Sequence, residues 1–410
     1  MVDPVDNGPL DDGLVIWFAG PASFTGEDVA ELHIHGGRAT VGAVTSTLAA
    51  LPRLRLAEPG EFSKRAFLAG KIDLTEAEAI ADLVDAGTDA QRRQALAQLG
   101  GGLADRLEVW RAELIDILAH TEAWIDFPDE DLPEDVERAA RARISALEDE
   151  IRAFLDDNRR GERLRDGLQI AILGAPNAGK SSLLNAIAAR EAAIVSATEG
   201  TTRDVIEVHL DLGGWPVTIA DTAGLRDAAD EIEREGVRRA LDRAGTADLR
   251  LVVFDASHAP DAASVAQLSG GSGGSGGGPA GAVLAIANKA DLVDQPALII
   301  GGVPARAISA KTGDGLPELL RCLEGHAAEI MAGTGAGGEG VPLTRLRHRV
   351  ALTDSAEALG RAAAVRGGAG DSELVAEDLR LAARALGRVT GRVDVEDLLD
   401  VIFNDFCIGK

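Results

Sequence analysis

At 410 residues the chain has room for two or three domains, and 46% hydrophobic residues can bury real cores. A net charge of −26 argues against indiscriminate nucleic-acid binding, which is built mostly from Lys and Arg at phosphates. No apolar run is long enough to span a bilayer, and the start, MVDPVDNGPLDDG, is acidic rather than a secretory leader, so a cytoplasmic protein without a membrane anchor is expected.

Along the chain, Leu14–Phe18 and Val29–Ile34 read as strands and Ala39–Leu51 as a helix, making the first 70 residues a small α+β unit. His33 and His35 share a strand face there, which packing or solvent explains better than a metal. Thr75-x-x-Glu78 ahead of Ile80, Leu83 and Val84 resembles a capping box that opens a helix. Leu103, Leu107, Trp110, Leu114, Ile117 and Trp124 fall at alternating spacings of four and three, with Thr121 in the one gap, which predicts a long amphipathic helix. Near the C-terminus, Leu346–Arg361, Glu373–Leu386 and Asp394–Phe403 read as helices broken at Gly367-Gly368 and between Gly387 and Gly391. One helical domain in two pieces, 71–166 and 336–410, with a nucleotide domain at 167–335 inserted between them, is the economical arrangement.

The inserted segment carries the chemistry. GAPNAGKSS, residues 174 to 182, follows the apolar run Leu168–Leu173 and precedes a helical stretch. In such a phosphate cradle Gly174 and Gly179 let backbone N–H groups face phosphate oxygens at a helix N-terminus. Lys180 supplies a point charge for the β and γ phosphates, and Ser181, ahead of Ser182, supplies a hydroxyl for Mg²⁺. Asp221-Thr222-Ala223-Gly224 ends a second apolar run, where its carboxylate can reach the Mg²⁺ shell. Asn288-Lys289-Ala290-Asp291 ends a third; Asp291 is expected to accept from guanine N1–H and the exocyclic amine, a donor pair adenine lacks. Ser309-Ala310-Lys311 is the expected backbone contact to guanine O6. The four motifs in this order predict GTP or GDP as the ligand.

Leu225 stands where Ras-like proteins place the glutamine that orients the attacking water, so another group must do that work. The run Arg226–Glu235 offers several carboxylates, most of which also read as a solvated acidic helix start. Ser196–Asp204, SATEGTTRD, reads as the first switch loop, with Thr202 a Mg²⁺ ligand. Backbone carbonyls around Gly200, with the side-chain oxygen of Asn177, suggest a monovalent cation in place of an arginine finger. Residues 269–278, SGGSGGSGGG, read as a flexible tether between two strands, and the arginines of 159–165 as solvated charges on a helix. Cys322 and Cys407 are far apart and lack metal-ligand spacing, so neither a zinc site nor a disulfide framework is indicated.

SFTGEDVAELHIHGG at 23–37, PGEFSKRAFLAGKIDLTEAEAIADLVDA at 59–86, the inserted GTPase with GTTRD at 200–204 and DTAGLR at 221–226, and the terminal Phe406-Cys407-Ile408-Gly409-Lys410 together resemble the MnmE (TrmE) family of tRNA wobble-uridine modification GTPases. The resemblance covers nearly the whole chain. It implies a multidomain fold: an α+β folate-binding-like N-terminal domain, a discontinuous all-α helical domain and an inserted α/β P-loop GTPase domain. It further implies a homodimer joined through the N-terminal domain, which holds 5-formyltetrahydrofolate or a related one-carbon folate with Glu31, Lys71 and Lys410 at matching positions. Cys407 matches the cysteine of the modification chemistry.

In the GTPase segment the resemblance assigns Asn177, Ser196, Thr198 and Thr201 to a K⁺ site, Ser181 and Thr202 to Mg²⁺, and Glu233 to orienting the water. Ala178, Ala197 and Glu199 fall within the matching nucleotide-binding stretches. Members act with a flavoprotein partner of the MnmG (GidA) kind, which uses FAD and NADH. Together they add an aminomethyl or carboxymethylaminomethyl group to C5 of the tRNA wobble uridine, with K⁺-driven pairing of two GTPase domains as the activating step. Members carry a longer stretch before the strand matching Leu14–Phe18, including a Gly-rich segment and an arginine at the folate; here an acidic leader stands there. An active GTPase is therefore expected, with folate affinity and the dimer interface depending on that stretch. A ribosome-assembly GTPase without modification chemistry is the alternative, but it gives no reason for the terminal CxGK. A GTP-regulated scaffold explains still less.

Overall fold

The computed structural model describes the chain except residues 127–133, 191–206, 222–246, 270–281, 297, 333–340, 366–370, 394–401 and 403–410. The chain divides into two compact units, one comprising Met1–Val84, Leu96–Asp149 and Ala351–Lys410, the other Asp85–Ala95 and Glu150–Val350.

In the first unit, strands β1 (Leu14–Phe18) and β2 (Val29–His33) pair antiparallel, Leu14 opposite His33 and Phe18 opposite Val29. The strand ends one residue earlier than its apolar pattern predicts. His35 therefore lies past the strand, where its N–H and ring both bond Asp11, while His33 faces Glu31. Helices α1 (Arg38–Ala49) and α2 (Glu61–Leu68) follow.

Helix α3 (Leu74–Asp85) has a capping box, but not the predicted one. Asp73 Oδ1 accepts the Glu76 N–H at 2.9 Å, and Glu76 Oε2 accepts the Asp73 N–H at 2.7 Å. Two overlapping boxes compete two residues apart in the sequence. The Asp73 box wins because Thr75 Oγ1 donates to the Asp73 carboxylate and Glu78 is buried at 0% exposure within the helix, so neither serves as a cap.

Helix α4 (Asp89–Leu99) belongs to the second unit through Ala95, and the long α5 (Gly102–Asp126) lies in the first. From Leu103 to Thr121 the spacing of four and three resolves as expected: Leu103, Leu107, Trp110, Leu114, Ile117 and Thr121 are all buried along one face of α5, while the side chain of Trp124 lies outside what the structure describes. Helix α6 (Glu134–Leu155) is tied to α5 by Arg143, which bonds both Glu113 and Asp116.

In the second unit, α7 (Arg160–Asp166) leads into β3 (Leu168–Leu173), and α8 (Lys180–Arg190) follows. The remaining strands are β4 (Glu207–Leu212), β5 (Trp215–Asp221), β6 (Leu249–Asp255), β7 (Ala282–Asn288), β8 (Ile299–Ile300) and β9 (Val303–Ala307). They form a seven-stranded sheet ordered β4-β5-β3-β6-β7-β9-β8, parallel from β5 through β9 and antiparallel at both edges.

Alternation along the central strands sorts the core into two layers, as a sheet covered on both faces requires. Leu168, Ile170, Ile172, Leu249, Leu251 and Val253 pack with Leu183 and Ile187 of α8 and with Leu319 and Leu323 of α10 (Leu316–Ala332). Ala171, Leu173, Val252, Phe254, Ala285 and Ala287 face the other way, with Leu268 of α9 (Ala262–Ser269).

The predicted solvated arginines of 159–165 are mostly partnered inside this unit. Arg163 Nε meets Asp248 at 2.6 Å, Arg159 pairs with Glu162, and Arg165 pairs with Asp166. Arg349 then bonds the carbonyl of Leu155 and the carboxylates of Asp157 and Glu162, joining the segment that leads into the sheet to the start of α11 (Leu346–Ala364).

Back in the first unit, α12 (Asp371–Thr390) lies against α5, with Arg380 reaching Glu122. The helix does not break at Gly387 as its sequence predicts. It runs on to Thr390, and Arg392 N–H bonds the Gly387 carbonyl at 2.9 Å around Gly391 at φ +82°, a six-to-one helix stop. Gly387 is tolerated inside the helix because Val393 occupies the space a side chain would need: a Cβ there would sit 2.6 Å from Val393 Cγ2. The predicted helix Asp394–Phe403 lies outside the described residues except for the buried Ile402. Among the described residues no helix is long and apolar enough to cross a membrane.

Candidate functional site

Four parallel strands, β5, β3, β6 and β7, lie side by side, and three of them, β3, β5 and β7, deliver predicted motifs to one edge of the sheet. Ile172 of β3 pairs with Asp221 at the end of β5, and Asp255 of β6 pairs with Asn288 at the end of β7. Beyond β3 the chain turns through Gly174–Gly179 into α8, with the Leu183 N–H already bonded to the Gly179 carbonyl.

Gly174 and Gly179 sit at φ +136° and +91° and have no room for a side chain. A Cβ would lie 2.2 Å from the Val253 carbonyl oxygen at the first and 2.2 Å from Asn288 Nδ2 at the second. Lys180, 6% exposed, curls its ammonium into the loop and donates to the carbonyls of Gly174 at 3.0 Å and Ala175 at 2.8 Å. Positive charge and backbone N–H groups thus converge at a helix N-terminus, a built anion cradle. Ser181 and Ser182 occupy the exposed first turn of α8.

The loop after β7 is tied to this cradle. The Asn288 amide, 1% exposed, donates from Nδ2 to the Ala178 carbonyl at 2.9 Å and accepts the Ala310 N–H at Oδ1 at 3.0 Å. Lys289 Nζ donates to the Asn177 carbonyl at 2.7 Å, and Ala290 N–H bonds the Ile308 carbonyl. Buried Ser309 donates its hydroxyl to Asp291 Oδ1 at 2.7 Å and accepts the Thr312 N–H, so it orients the Asp291 carboxylate. Asn177 and Lys289 both adopt left-handed backbone, at φ +63° each. Two strained non-glycine residues on facing loops mark a site held in shape by its surroundings. Lys311 follows, exposed.

One contributor is absent from the sequence reading. Asp255, at the end of β6, pairs with Lys289 at 2.7 Å. Burial pushes its carboxyl up, but the bonds from Lys289 and Ser257 outweigh this and hold it well below the usual carboxylate range. Its signal was a carboxylate closing an apolar strand, in the same position that Asp221 and Asn288 hold at the ends of theirs.

Ser196, Ala197, Thr198, Glu199, Gly200, Thr201, Thr202, Thr222, Ala223, Gly224, Glu233, Cys407 and Lys410 lie outside the described residues. Asp221 is placed by its backbone alone. In the first unit, Glu31 Oε2 lies 3.2 Å from His33 Nε2, and Lys71 Nζ donates to the Pro21 carbonyl. Among the described residues no group of three or more His, Cys, Asp or Glu could hold a metal ion.

Residues 74–407 match the family described as the MnmE helical domain, and residues 1–71 match the GTP-binding protein TrmE N-terminus. The tRNA modification GTPase MnmE of Paramagnetospirillum magneticum is 58% identical over 405 residues, covering 98% of this chain and 87% of that one. Its counterpart in Rhodospirillum rubrum is 57% identical over 420 residues, covering 99% and 87%. Among solved structures, the G domain of the T. maritima FeoB iron transporter matches at a TM-score of 0.28 and 24% identity, over 40% of this chain and 99% of that one.

Proposed function

The chain belongs to the family of the tRNA modification GTPase MnmE, and from that premise we propose that it is a K⁺-dependent GTPase which, with a FAD- and NADH-using flavoprotein, adds an aminomethyl or carboxymethylaminomethyl group to C5 of the tRNA wobble uridine. The observation that carries the GTPase part is the tie between the two loops, Asn288 to Ala178 and Lys289 to Asn177. It makes base recognition and phosphate binding one structure.

Asp291, oriented by Ser309, accepts from the guanine edge, and the Ala310 N–H, which bonds Asn288 Oδ1 in this structure, would turn to guanine O6 on binding. The cradle N–H groups and Lys180 bind the phosphate oxygens. Ser181 and Thr202 are hard oxygen donors suited to Mg²⁺. Asn177, exposed at the loop tip, would join Ser196, Thr198 and Thr201 as neutral oxygen donors suited to K⁺. When bound, these ions supply positive charge against the phosphates as negative charge builds during transfer. Glu233 holds the attacking water, the role Leu225 cannot fill.

The first unit serves the modification. Glu31, Lys71 and Lys410 hold a one-carbon folate, Cys407 acts on the nucleobase, and two copies of the chain join through the N-terminal α+β segment. The three-part division at 1–70, 71–166 with 336–410, and 167–335 belongs to this reading. GTP binding and hydrolysis by two GTPase segments brought together would then move the helices that flank them.

GTP turnover measured in KCl against NaCl tests the GTPase half. Stimulation by K⁺, lost in Glu233→Ala with GTP binding retained, is the expected result. Equal rates in both salts would remove the monovalent-cation assignment, and normal turnover in Glu233→Ala would move the water to another carboxylate.

A further inference from the structure

Asp255 is absent from the four nucleotide motifs, yet it stands behind two of them. Its two carboxylate oxygens divide their work. Oδ1 accepts the Ser257 N–H at 2.9 Å and the Ser257 hydroxyl at 2.5 Å, closing a turn at the strand end. Oδ2 meets the Lys289 ammonium at 2.7 Å, with His258 Nδ1 3.3 Å away. The same ammonium donates to the Asn177 carbonyl at 2.7 Å.

We infer that Asp255 is a positioning residue for nucleotide binding: it fixes the Lys289 ammonium against the Asn177 carbonyl and so holds the base-side loop and the phosphate-side loop in one arrangement. This rests on the guanine-nucleotide reading of the site.

A strand-end turn closed through a side-chain oxygen works equally well with Asn, so the turn explains Oδ1 and leaves the charge unused. The charge meets the Lys289 ammonium at 2.7 Å, closer than His258, and Lys289 reaches it from backbone held at φ +63°. Without that anchor the ammonium is one rotatable stem away from solvent, since Lys289 is already a third exposed at its side chain. Asn177, also left-handed, would then lose the contact that holds its carbonyl. A bound nucleotide touches both loops, so loosening one against the other shows as faster release.

The test is the release rate of a fluorescent GDP analogue from the full chain. Asp255→Asn keeps the turn acceptor and removes the charge. It should release the analogue about tenfold faster, the size expected for one charge-assisted bond, with GDP still preferred over ADP. Asp255→Ser, which also keeps an oxygen for the turn, should behave alike and stands in if the first variant does not fold. In a Lys289→Gln background, Asp255→Asn should add nothing, because its effect runs through the ammonium. Release within about twofold of the parent, or effects that multiply in the double variant, would overturn the proposal. Failure of the unmodified chain to bind the analogue at all would instead sink the guanine reading, and this inference with it.

Discussion

Asn288 and Ala178 are joined by a 2.9 Å hydrogen bond from a buried side-chain amide to a loop carbonyl, although 110 residues separate them in the chain. The contact depends on Gly179, whose missing Cβ leaves the space that Asn288 Nδ2 fills. Gly179→Ala should therefore abolish GDP binding and destabilise the sheet-bearing unit by about 2 kcal/mol or more, since it combines a left-handed backbone with a buried clash. Calorimetric titration with GDP and urea unfolding check it. Normal GDP affinity would show that the cradle can rearrange around the added methyl.

Asp291→Asn should shift preference from GTP toward XTP. The amide presents an N–H donor to the C2 carbonyl of xanthine where the carboxylate accepted from the exocyclic amine of guanine, and Ser309 can still donate to the amide oxygen at position 291. Competition of GTP and XTP for the purified variant reads the outcome, and unchanged preference would refute the base assignment.

Arg349→Met should cost about 3 kcal/mol of stability in the sheet-bearing unit. Its guanidinium bonds the Leu155 carbonyl, Asp157 and Glu162, and removal leaves two largely buried carboxylates without that partner. Urea denaturation measures the loss. A cost under about 1 kcal/mol would mean that solvent replaces the lost bonds.

Glu61 sets a pH dependence in the N-terminal unit. Hydrogen bonds from Arg55, then from the Glu58 N–H, bring its carboxyl down to about 2, with Arg65 adding to the effect. A folded pKa below the unfolded one means that the stabilisation is fully present above the ordinary glutamate range and is lost as pH falls toward about 2. Carboxyl NMR should place the Glu61 midpoint near that value, and Glu61→Gln should remove the corresponding slope from acid unfolding. A midpoint in the ordinary range would show the Arg55 fork to be open in solution.

Much of the fold could be read from residue patterns because it rests on strong local periodicity. Leu14–Phe18 forms a strand with the bounds the sequence implies, and the face from Leu103 to Thr121 is buried because its spacing allows no other face. The nucleotide loops were legible for a different reason: glycines, a lysine and strand-terminal polar residues are chemically constrained there. What escaped was decided by tertiary contact. Nothing local tells Asp73-x-x-Glu76 from Thr75-x-x-Glu78; the burial of Glu78 decides. Gly387 breaks a helix by propensity, yet the helix runs past it to Thr390, and a Cβ there would crowd Val393. Asp255 gains its role only when parallel pairing sets it beside Asn288, so that Lys289 falls within its reach.

Nucleoside mass spectrometry of tRNA from cells that lack their own enzyme of this family and express this chain with the flavoprotein decides whether the chain modifies the wobble uridine. Appearance of the C5-modified wobble uridine, and its loss in Cys407→Ser with GTP turnover intact, is the predicted result. Unmodified uridine in cells where a family relative restores the modification, while this chain hydrolyses GTP normally, would contradict the account and return the ribosome-assembly reading to first place.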